Sequence, residues 1–266
     1  MKVAQRAAVP PFYVMEVMRA AEQRERVGNA VLHLEVGQPA SAAPMRVRDA
    51  AKAALDSDVL GYTTALGMPG LREAIARHHL DWYGDDVGVD RIAVTVGASG
   101  ACVLACLASF DPGDRVAVMS PGYPCYRNIL EALAVEVVDI TLDASTRFQP
   151  TPELLAAAGP LDGAVVASPS NPSGTMLMAD EMAALCRWAD ATGVRLISDE
   201  IYHGITYGRA AVSATNFSDS AIVVNSFSKY FSMTGWRVGW MVIPDDLCVP
   251  IERLAQNLFI AAPTIS

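Results

Sequence analysis

Seven short apolar runs, separated by segments of helical periodicity, occupy the chain from residue 91 onward. They span residues 91–96, 115–120, 135–142, 163–168, 194–199, 221–226 and 237–243. Within each run apolar residues follow one another without regular polar alternation, which is typical of strands buried on both faces of a parallel sheet. The segment 179–193 between two runs predicts a helix that ends at Gly193. We therefore predict an α/β fold with a mainly parallel seven-stranded sheet flanked by helices.

The first ninety residues follow a different pattern. Residues 10–30 predict an amphipathic helix that begins after Pro10 and Pro11, and residues 45–56 and 69–83 predict two further helices. Between the first two helices, residues 32–44 predict a short strand and then an irregular segment rich in glycine and proline. We expect this region to supply part of a second, smaller domain.

Charge and composition argue against several classes of partner. The net charge is -9 at pH 7 and no basic run is present, so we do not expect a nucleic-acid partner. The apolar stretches are strand-sized, and the N-terminus lacks the apolar region of a signal peptide. Five scattered cysteines without a C-x-x-C pair are typical of reduced core thiols, and the histidines lie at no metal-ligand spacing. We expect a cytoplasmic protein that needs no metal and no membrane.

Polar or glycine-rich segments follow five of the predicted strands. They are GAS at 97–99, PGYPCY at 121–126, PSNPSG at 169–174, DEIYHG at 199–204 and SFSK at 226–229. The carboxyl ends of parallel strands meet at one edge of the sheet, where open α/β sheets bind their ligands. The sequence therefore predicts one shared site.

Lys229 is the most informative residue of these segments. A lone lysine past a strand is usually a surface residue, but here Ser226 and Ser228 flank it and Arg237 follows eight residues later. Desolvation and a neighbouring cation lower the pKa of a lysine, so that its neutral amine can attack a carbonyl. A guanidinium suits a phosphate through its planar fork of donors. One amine for Schiff-base chemistry and one cation for a phosphate are what pyridoxal phosphate requires.

Asp199, Asn171 and Tyr202 each admit a structural and a chemical interpretation. Asp199 could cap a helix, or its carboxylate could hold a pyridine nitrogen protonated so that the ring takes up electrons. Asn171, which precedes Pro172, could belong to an ordinary turn. It could also donate, together with Tyr202, to the 3′-oxygen of the cofactor.

Two further segments offer contacts of lower specificity. Gly97, Ala98 and Ser99 lead from a strand into a helix whose free N–H groups favour an anion, although many strand-to-helix turns are small and glycine-rich. Tyr123 could stack on a flat ring, although aromatic residues at strand ends more often serve ordinary packing.

Taken in order over nearly the whole chain, these segments resemble the class I/II aminotransferases of pyridoxal-phosphate fold type I, in the aspartate aminotransferase superfamily. The most specific are NPSG at 171–174, DEIY at 199–202 and SFSKYFSMTGWRVGW at 226–240. The resemblance implies a pyridoxal 5′-phosphate enzyme that moves an amino group between an L-amino acid and a 2-oxo acid. It also implies a homodimer, with an N-terminal arm and part of the small domain at 1–44 and the large cofactor-binding domain at 45–266.

The same resemblance implies a role for each site residue. Lys229 would form the Schiff base and move a proton, Asp199 would pair with the pyridine nitrogen, and Tyr202 would complete the catalytic set. Asn171 and Tyr202 would contact the 3′-oxygen, and Tyr123 would stack on the ring. The residues implied around the phosphate are Gly97, Ala98, Ser99, Ser226, Ser228, Arg237 and, from the neighbouring subunit, Tyr62. Those implied beside the substrate are Gly37 and Asn171.

Two departures from the family pattern limit these implications. The family pattern G-x-P-D-F is replaced by GQPAS at 37–41, which leaves the substrate contacts of this loop open. The family arginine that binds the substrate α-carboxylate lies in a C-terminal segment beyond NLFIAAPTIS at 257–266. No residue of this sequence takes that role, and we expect a partial chain.

Three other interpretations stay open. A β-lyase or an aminocyclopropane-carboxylate-synthase-like enzyme would use the same cofactor residues, and product analysis separates them. A regulatory protein that binds pyridoxal phosphate would need a basic winged-helix segment, which does not precede Pro10. A non-catalytic relic is disfavoured by the intact Lys229 and Asp199.

Overall fold

In a computed structural model that describes residues 1–266, the seven predicted strands form one sheet. The sheet has the order β1-β7-β6-β5-β4-β2-β3, and only β7 runs antiparallel to its neighbours β1 and β6. The prediction of a mainly parallel seven-stranded sheet is therefore confirmed. The strands are β1 (Ile92–Thr95), β2 (Arg115–Ser120), β3 (Glu136–Thr141), β4 (Gly163–Ala167), β5 (Arg195–Asp199), β6 (Ile222–Ser226) and β7 (Gly239–Val242).

Eight α-helices flank the sheet or precede it. The helix predicted at 10–30 is shorter than expected, and the predicted helix before Gly193 ends there in a left-handed cap with φ +73°. Three of the helices (α5, α6 and α8) were not predicted. The helices are α1 (Tyr13–Arg26), α2 (Met45–Ser57), α3 (Pro69–Tyr83), α4 (Gly97–Ser109), α5 (Pro124–Ala132), α6 (Pro152–Ala157), α7 (Ala179–Thr192) and α8 (Asp245–Leu258).

Two hydrophobic clusters form the core, one on each face of the sheet. Along β6, Val223 packs into one cluster and Ile222 and Val224 pack into the other, and all three side chains are fully buried. Burying an aliphatic side chain stabilises the fold by about 1.5–3 kcal/mol. Two-sided burial explains why these strands are continuous apolar runs, and their parallel pairing brings the carboxyl ends, where the site residues lie, to one edge of the sheet.

The short strand predicted within 32–44 does not form. Leu32 and Leu34 are 90% and 91% exposed, and no strand of the sheet pairs with this segment. A strand needs a neighbour to satisfy its backbone N–H and C=O groups, and here none is adjacent. The segment instead passes the carboxyl edge of the sheet, where the Gly37 carbonyl accepts a hydrogen bond from Lys229.

All five cysteines are unpaired, but only three are buried in the core, since Cys125 and Cys248 are half-buried. None of the helices combines the length and the apolar character that crossing a bilayer requires.

Candidate active site

A cleft of about 330 Å³ opens at the carboxyl ends of the parallel strands. Its volume is within the range of about 300–1,000 Å³ that is usual for small-molecule sites. Segments that are far apart in sequence meet in its wall. Eight of the residues singled out from the sequence line it: Gly37, Ala98, Ser99, Tyr123, Asn171, Asp199, Tyr202 and Lys229.

Lys229 lies in this cleft with a half-buried side chain. Its Nζ donates a hydrogen bond to the Gly37 carbonyl over 2.9 Å and lies 5.9 Å from the centre of the Tyr202 ring. Burial, and then the nearby charge of Arg237, lower the pKa of this amine. The other lysines of the chain, Lys2 and Lys52, are exposed. Lys229 is thus the one lysine with both access to a cleft and an environment that favours its neutral form.

Asp199 closes β5 on the inner wall of the cleft and is 4% exposed. Burial raises the pKa of its carboxyl, while hydrogen bonds from Tyr126 and from the Ile201 backbone oppose that rise. The Tyr126 hydroxyl donates to Oδ2 over 2.5 Å, and the Ile201 N–H donates to Oδ1 over 3.0 Å. Tyr126 was not singled out from the sequence. It lies in α5, a helix that was not predicted, three residues after the N-cap residue Tyr123.

Asn171 and Tyr202 lie close together beyond the carboxyl ends of β4 and β5. The Asn171 Nδ2 amide donates to the Tyr202 hydroxyl over 3.4 Å, at the long end of hydrogen-bond distances. Burial, and then the proximity of Asp199, raise the pKa of Tyr202. Tyr202 therefore keeps its proton at neutral pH, and the pair presents two donors to the cleft.

The start of α4 forms an anion-binding corner at the side of the cleft. Its N-cap residue Val96 supplies no side-chain hydrogen bond, so the first N–H groups of the helix are left without a capping partner. Gly97 has φ +66°, and a Cβ there would collide with the guanidinium of Arg237. Free helical N–H groups and an adjacent guanidinium both favour a bound anion. Only glycine allows the two to approach this closely.

Five of the residues singled out from the sequence lie outside the cleft wall: Gly97, Ser226, Ser228, Arg237 and Tyr62. Ser226 and Ser228 are buried, at 1% and 5% exposure, and their hydroxyl oxygens lie 2.8 Å apart. Arg237 is exposed and borders the anion corner. Tyr62 is 85% exposed and lines a separate surface depression with Thr264. A single chain therefore does not bring Tyr62 to its own cleft.

The outer part of the cleft is apolar, which the sequence analysis did not predict. The ring of Phe12 meets the Tyr123 ring edge-on, with centroids 5.7 Å apart. The charged residues of the wall are Lys229, Asp199 and Glu35, and the Glu35 carboxylate already contacts His33 Nδ1 at 2.7 Å. The apolar side chains are Phe12, Val14, Met15, Val36 and Ile129.

A larger depression of about 770 Å³ lies at the amino ends of β5 and β6. Its polar side chains satisfy one another, since the hydroxyls of Ser218 and Ser220 both donate to Asp190, over 2.8 and 2.5 Å. We therefore assign the candidate site to the cleft at the carboxyl ends.

Comparison with known proteins points to one family. The profile of the family described as aminotransferase class I and II matches residues 29–266. The chain is 52% identical to the valine–pyruvate aminotransferase of Mycobacterium tuberculosis, over 100% of this chain and 69% of that protein.

Solved structures give the same result. A crystal structure of an aminotransferase from Mycobacterium tuberculosis superposes with a TM-score of 0.96 at 51% identity, covering 100% of this chain and 69% of that one. The aspartate aminotransferase of Thermus thermophilus with maleate superposes with a TM-score of 0.95 at 30% identity, covering 100% of this chain and 70% of that one.

Proposed function

The chain belongs to the class I and II aminotransferases, a family that implies pyridoxal phosphate as cofactor, and we propose that Lys229 carries this cofactor covalently while an amino group moves between an L-amino acid and a 2-oxo acid. The observation that supports this assignment best is the half-buried amine of Lys229 in a cleft that also holds the buried carboxyl of Asp199. The names of the relatives support amino-group transfer over a β-lyase or a ring-closing enzyme.

The residues of the cleft fit pyridoxal phosphate. The uncapped start of α4, with the Arg237 guanidinium packed against Gly97, suits the phosphate. The Asp199 carboxyl suits the ring nitrogen, and the donors of Asn171 and Tyr202 suit the 3′-oxygen. The remaining residues proposed to hold the group are Ala98, Ser99, Tyr123, Ser226 and Ser228.

Lys229 is suited to proton transfer as well as to attachment. When bound, the cofactor supplies a carbonyl carbon for the amine and a ring that takes up the electron pair released at the substrate Cα. Because burial and Arg237 lower its pKa, the Lys229 amine would take a proton from the substrate Cα and deliver it to the former carbonyl carbon of the cofactor. The Gly37 carbonyl, 2.9 Å from Nζ, orients the amine towards the outer part of the cleft.

Asp199 and the pair Asn171–Tyr202 fix charges around the ring. The Tyr126 and Ile201 donors favour the ionised form of Asp199, which in turn favours a protonated ring nitrogen. Asn171 and Tyr202 would supply hydrogen-bond donors to the 3′-oxygen. These dipoles are held in place by the protein before substrate binds, which is how preorganised sites stabilise developing charge.

The apolar outer wall suits a substrate with an uncharged, apolar side chain. A carboxylate on that side chain would meet Phe12, Met15 and Ile129, and the wall offers no cation besides Lys229. Burying a charge without a partner is strongly unfavourable. The name of the valine–pyruvate relative supports the same substrate class.

A homodimer and a cytoplasmic location complete the proposal. Tyr62 is exposed and remote from the cleft of its own chain, which supports a role at the cofactor of a second copy. A symmetric dimer would offer the same residue twice, once to each site. Five unpaired cysteines support a reducing compartment.

Borohydride reduction of the cofactor-saturated protein, followed by peptide mapping, tests the attachment. We expect the label on the peptide that contains Lys229, and no transfer activity in Lys229→Ala. Lys52→Ala, on an exposed lysine, should keep both label and activity. A label at Lys2 or Lys52, or none at all, would overturn the assignment.

Product analysis and a donor panel test the reaction and the substrate class. With pyruvate as acceptor, we expect a keto acid without ammonia release, and kcat/KM for valine or leucine at least about a hundredfold above that for aspartate. Ammonia as the main product would indicate a lyase. An equal kcat/KM for aspartate would contradict the apolar substrate class but not the transfer reaction.

A further inference from the structure

A chain of hydrogen bonds ties the Asp199–Tyr202 turn to the loop that carries Asn171. The Tyr83 hydroxyl, at the end of α3, lies 2.7 Å from Nδ1 of His203, and Nε2 of His203 lies 2.9 Å from the Ser168 carbonyl. His203 follows Tyr202 directly, and Ser168 precedes Asn171 by three residues. His203 is 4% exposed, so water does not compete for either hydrogen bond.

The partners of His203 determine which nitrogen carries its proton. A carbonyl oxygen can only accept, so Nε2 bears the hydrogen, and Nδ1 accepts from the Tyr83 hydroxyl. Burial lowers the pKa of His203 to about 4 and raises that of Tyr83, so the imidazole is neutral and the phenol keeps its proton. Glu200 Oε2, 3.6 Å from Nδ1, is too far for a hydrogen bond.

Ser168, at the start of the loop that carries Asn171, is held by two further hydrogen bonds. Its N–H donates to the Asp199 carbonyl over 3.1 Å, and its Oγ accepts from the Leu177 N–H over 3.0 Å. The other side-chain hydrogen bond between loop and turn joins Asn171 to Tyr202 at 3.4 Å. That contact is too long to hold the two segments in register, whereas the His203 bond at 2.9 Å is of ordinary length.

We propose that His203 is a positioning residue, which links Ser168 to Tyr83 and thereby sets the placement of the Asn171 and Tyr202 donors in the cleft. This inference rests on the proposed function, since those donors are the ones assigned to the 3′-oxygen of the cofactor. His203 lines no part of the cleft, so it acts through its neighbours.

Two substitutions separate positioning from packing. His203→Phe keeps an aromatic ring but removes both hydrogen bonds. His203→Gln places an amide donor near the position of Nε2 and so can retain the bond to Ser168. The readouts are the pH midpoint of the absorbance change of the bound cofactor, the rate of cofactor loss on dilution, and the urea midpoint of the cofactor-free protein.

We expect the absorbance midpoint of His203→Phe to rise by about one pH unit, because donors to an ionised oxygen favour its ionised form and one hydrogen bond is worth roughly that much. Cofactor loss should be about tenfold faster. His203→Gln should restore the wild-type midpoint to within a few tenths of a pH unit.

The remaining outcomes overturn the inference in distinguishable ways. If both variants lower the urea midpoint while the absorbance midpoint stays at the wild-type value, His203 only stabilises the fold. A Gln variant that shifts the absorbance midpoint as far as Phe would show that the Ser168 bond is not the link. A wild-type protein without a cofactor absorbance band would instead refute the proposed function, and this inference with it.

Discussion

The hydroxyl of Tyr126 donates a hydrogen bond to Oδ2 of Asp199 over 2.5 Å, between a helix and the end of a central strand. Tyr126 and Asp199 are both buried, at 9% and 4% exposure, and the Ile201 N–H donates to the other carboxylate oxygen. Burial alone would favour the neutral acid. The two donors oppose that tendency and favour the ionised form of Asp199 despite its burial.

Tyr126→Phe should therefore shift the acidic limb of the pH profile of kcat/KM. Removing the donor raises the pKa of Asp199, so a higher pH is needed to ionise it, and we expect the limb to move up by about one pH unit. At pH above that limb the rate should approach the wild-type value. Tyr230→Phe, on a ring that is 47% exposed, is the control. An unmoved acidic limb would show that Tyr126 does not tune this carboxyl.

Gly97→Ala should weaken cofactor binding. A methyl group at φ +66° is strained and would push the Arg237 guanidinium away from the start of α4. We expect an increase in Kd of about tenfold or more, measured by titrating cofactor into the stripped protein.

Gly100→Ala is the matched control on the same helix. Its Cβ would meet only Val96 at 3.4 Å, so Kd should stay within about twofold of wild type while helix propensity improves. Equal losses of affinity in both variants would contradict the assignment of the anion corner to Gly97 and Arg237.

Glu200→Gln should make stability less sensitive to pH. Glu200 is fully buried, its Oε2 has no hydrogen-bond partner, and burial raises its pKa from 4.5 to about 8. Between these two values the unfolded chain releases the proton and the folded chain keeps it, so the wild type loses stability as pH rises. The glutamine variant has no such loss.

Urea denaturation at pH 5 and pH 8 measures this difference. The free energy of unfolding of Glu200→Gln, relative to wild type, should increase by about 2 kcal/mol or more over that range, since one pKa unit corresponds to about 1.4 kcal/mol. Glu73→Gln, on an exposed helical residue, is the control. A constant offset for Glu200→Gln would mean that Glu200 is already ionised in the fold at pH 5.

Mixing Lys229→Ala with Tyr62→Phe tests the shared site. In a heterodimer whose cofactor sites each borrow one Tyr62, one site receives both lesions and the other receives none. Activity should then rise above that of either parent after subunit exchange. If mixing yields only the average of the two parents, each chain uses its own Tyr62 or none.

Much of the sheet could be predicted, because burial on both faces requires short, continuous apolar runs in the sequence. All seven strands fall inside the predicted runs, with ends displaced by no more than a few residues. The order of the strands could not be predicted, because nothing in an apolar run specifies its neighbour. The segment 32–36 has the composition of a strand, but a strand forms only where a partner is present, and here the partner is missing.

The site was predictable to the extent that it lies at strand ends. Asp199 and Lys229 were found because Asp199 ends one buried run and Lys229 lies three residues after another. Phe12 and Met15 were missed, because an amphipathic helix reveals which face is apolar but not what that face meets. His203 was missed for a related reason, since its importance depends on a carbonyl 35 residues away.

Because β7 is the last strand in the sequence, it also determines when the anion corner can form as the chain is synthesised. β7 lies between β1 and β6 and pairs Val242 with Ile92, so β1 leaves the ribosome long before its neighbour does. Arg237 and Gly239 arrive with β7 and pack against Gly97 and the start of α4. A nascent chain that ends before residue 237 thus lacks the Arg237 part of the anion corner, so we expect no phosphate to bind there until β7 has joined the sheet.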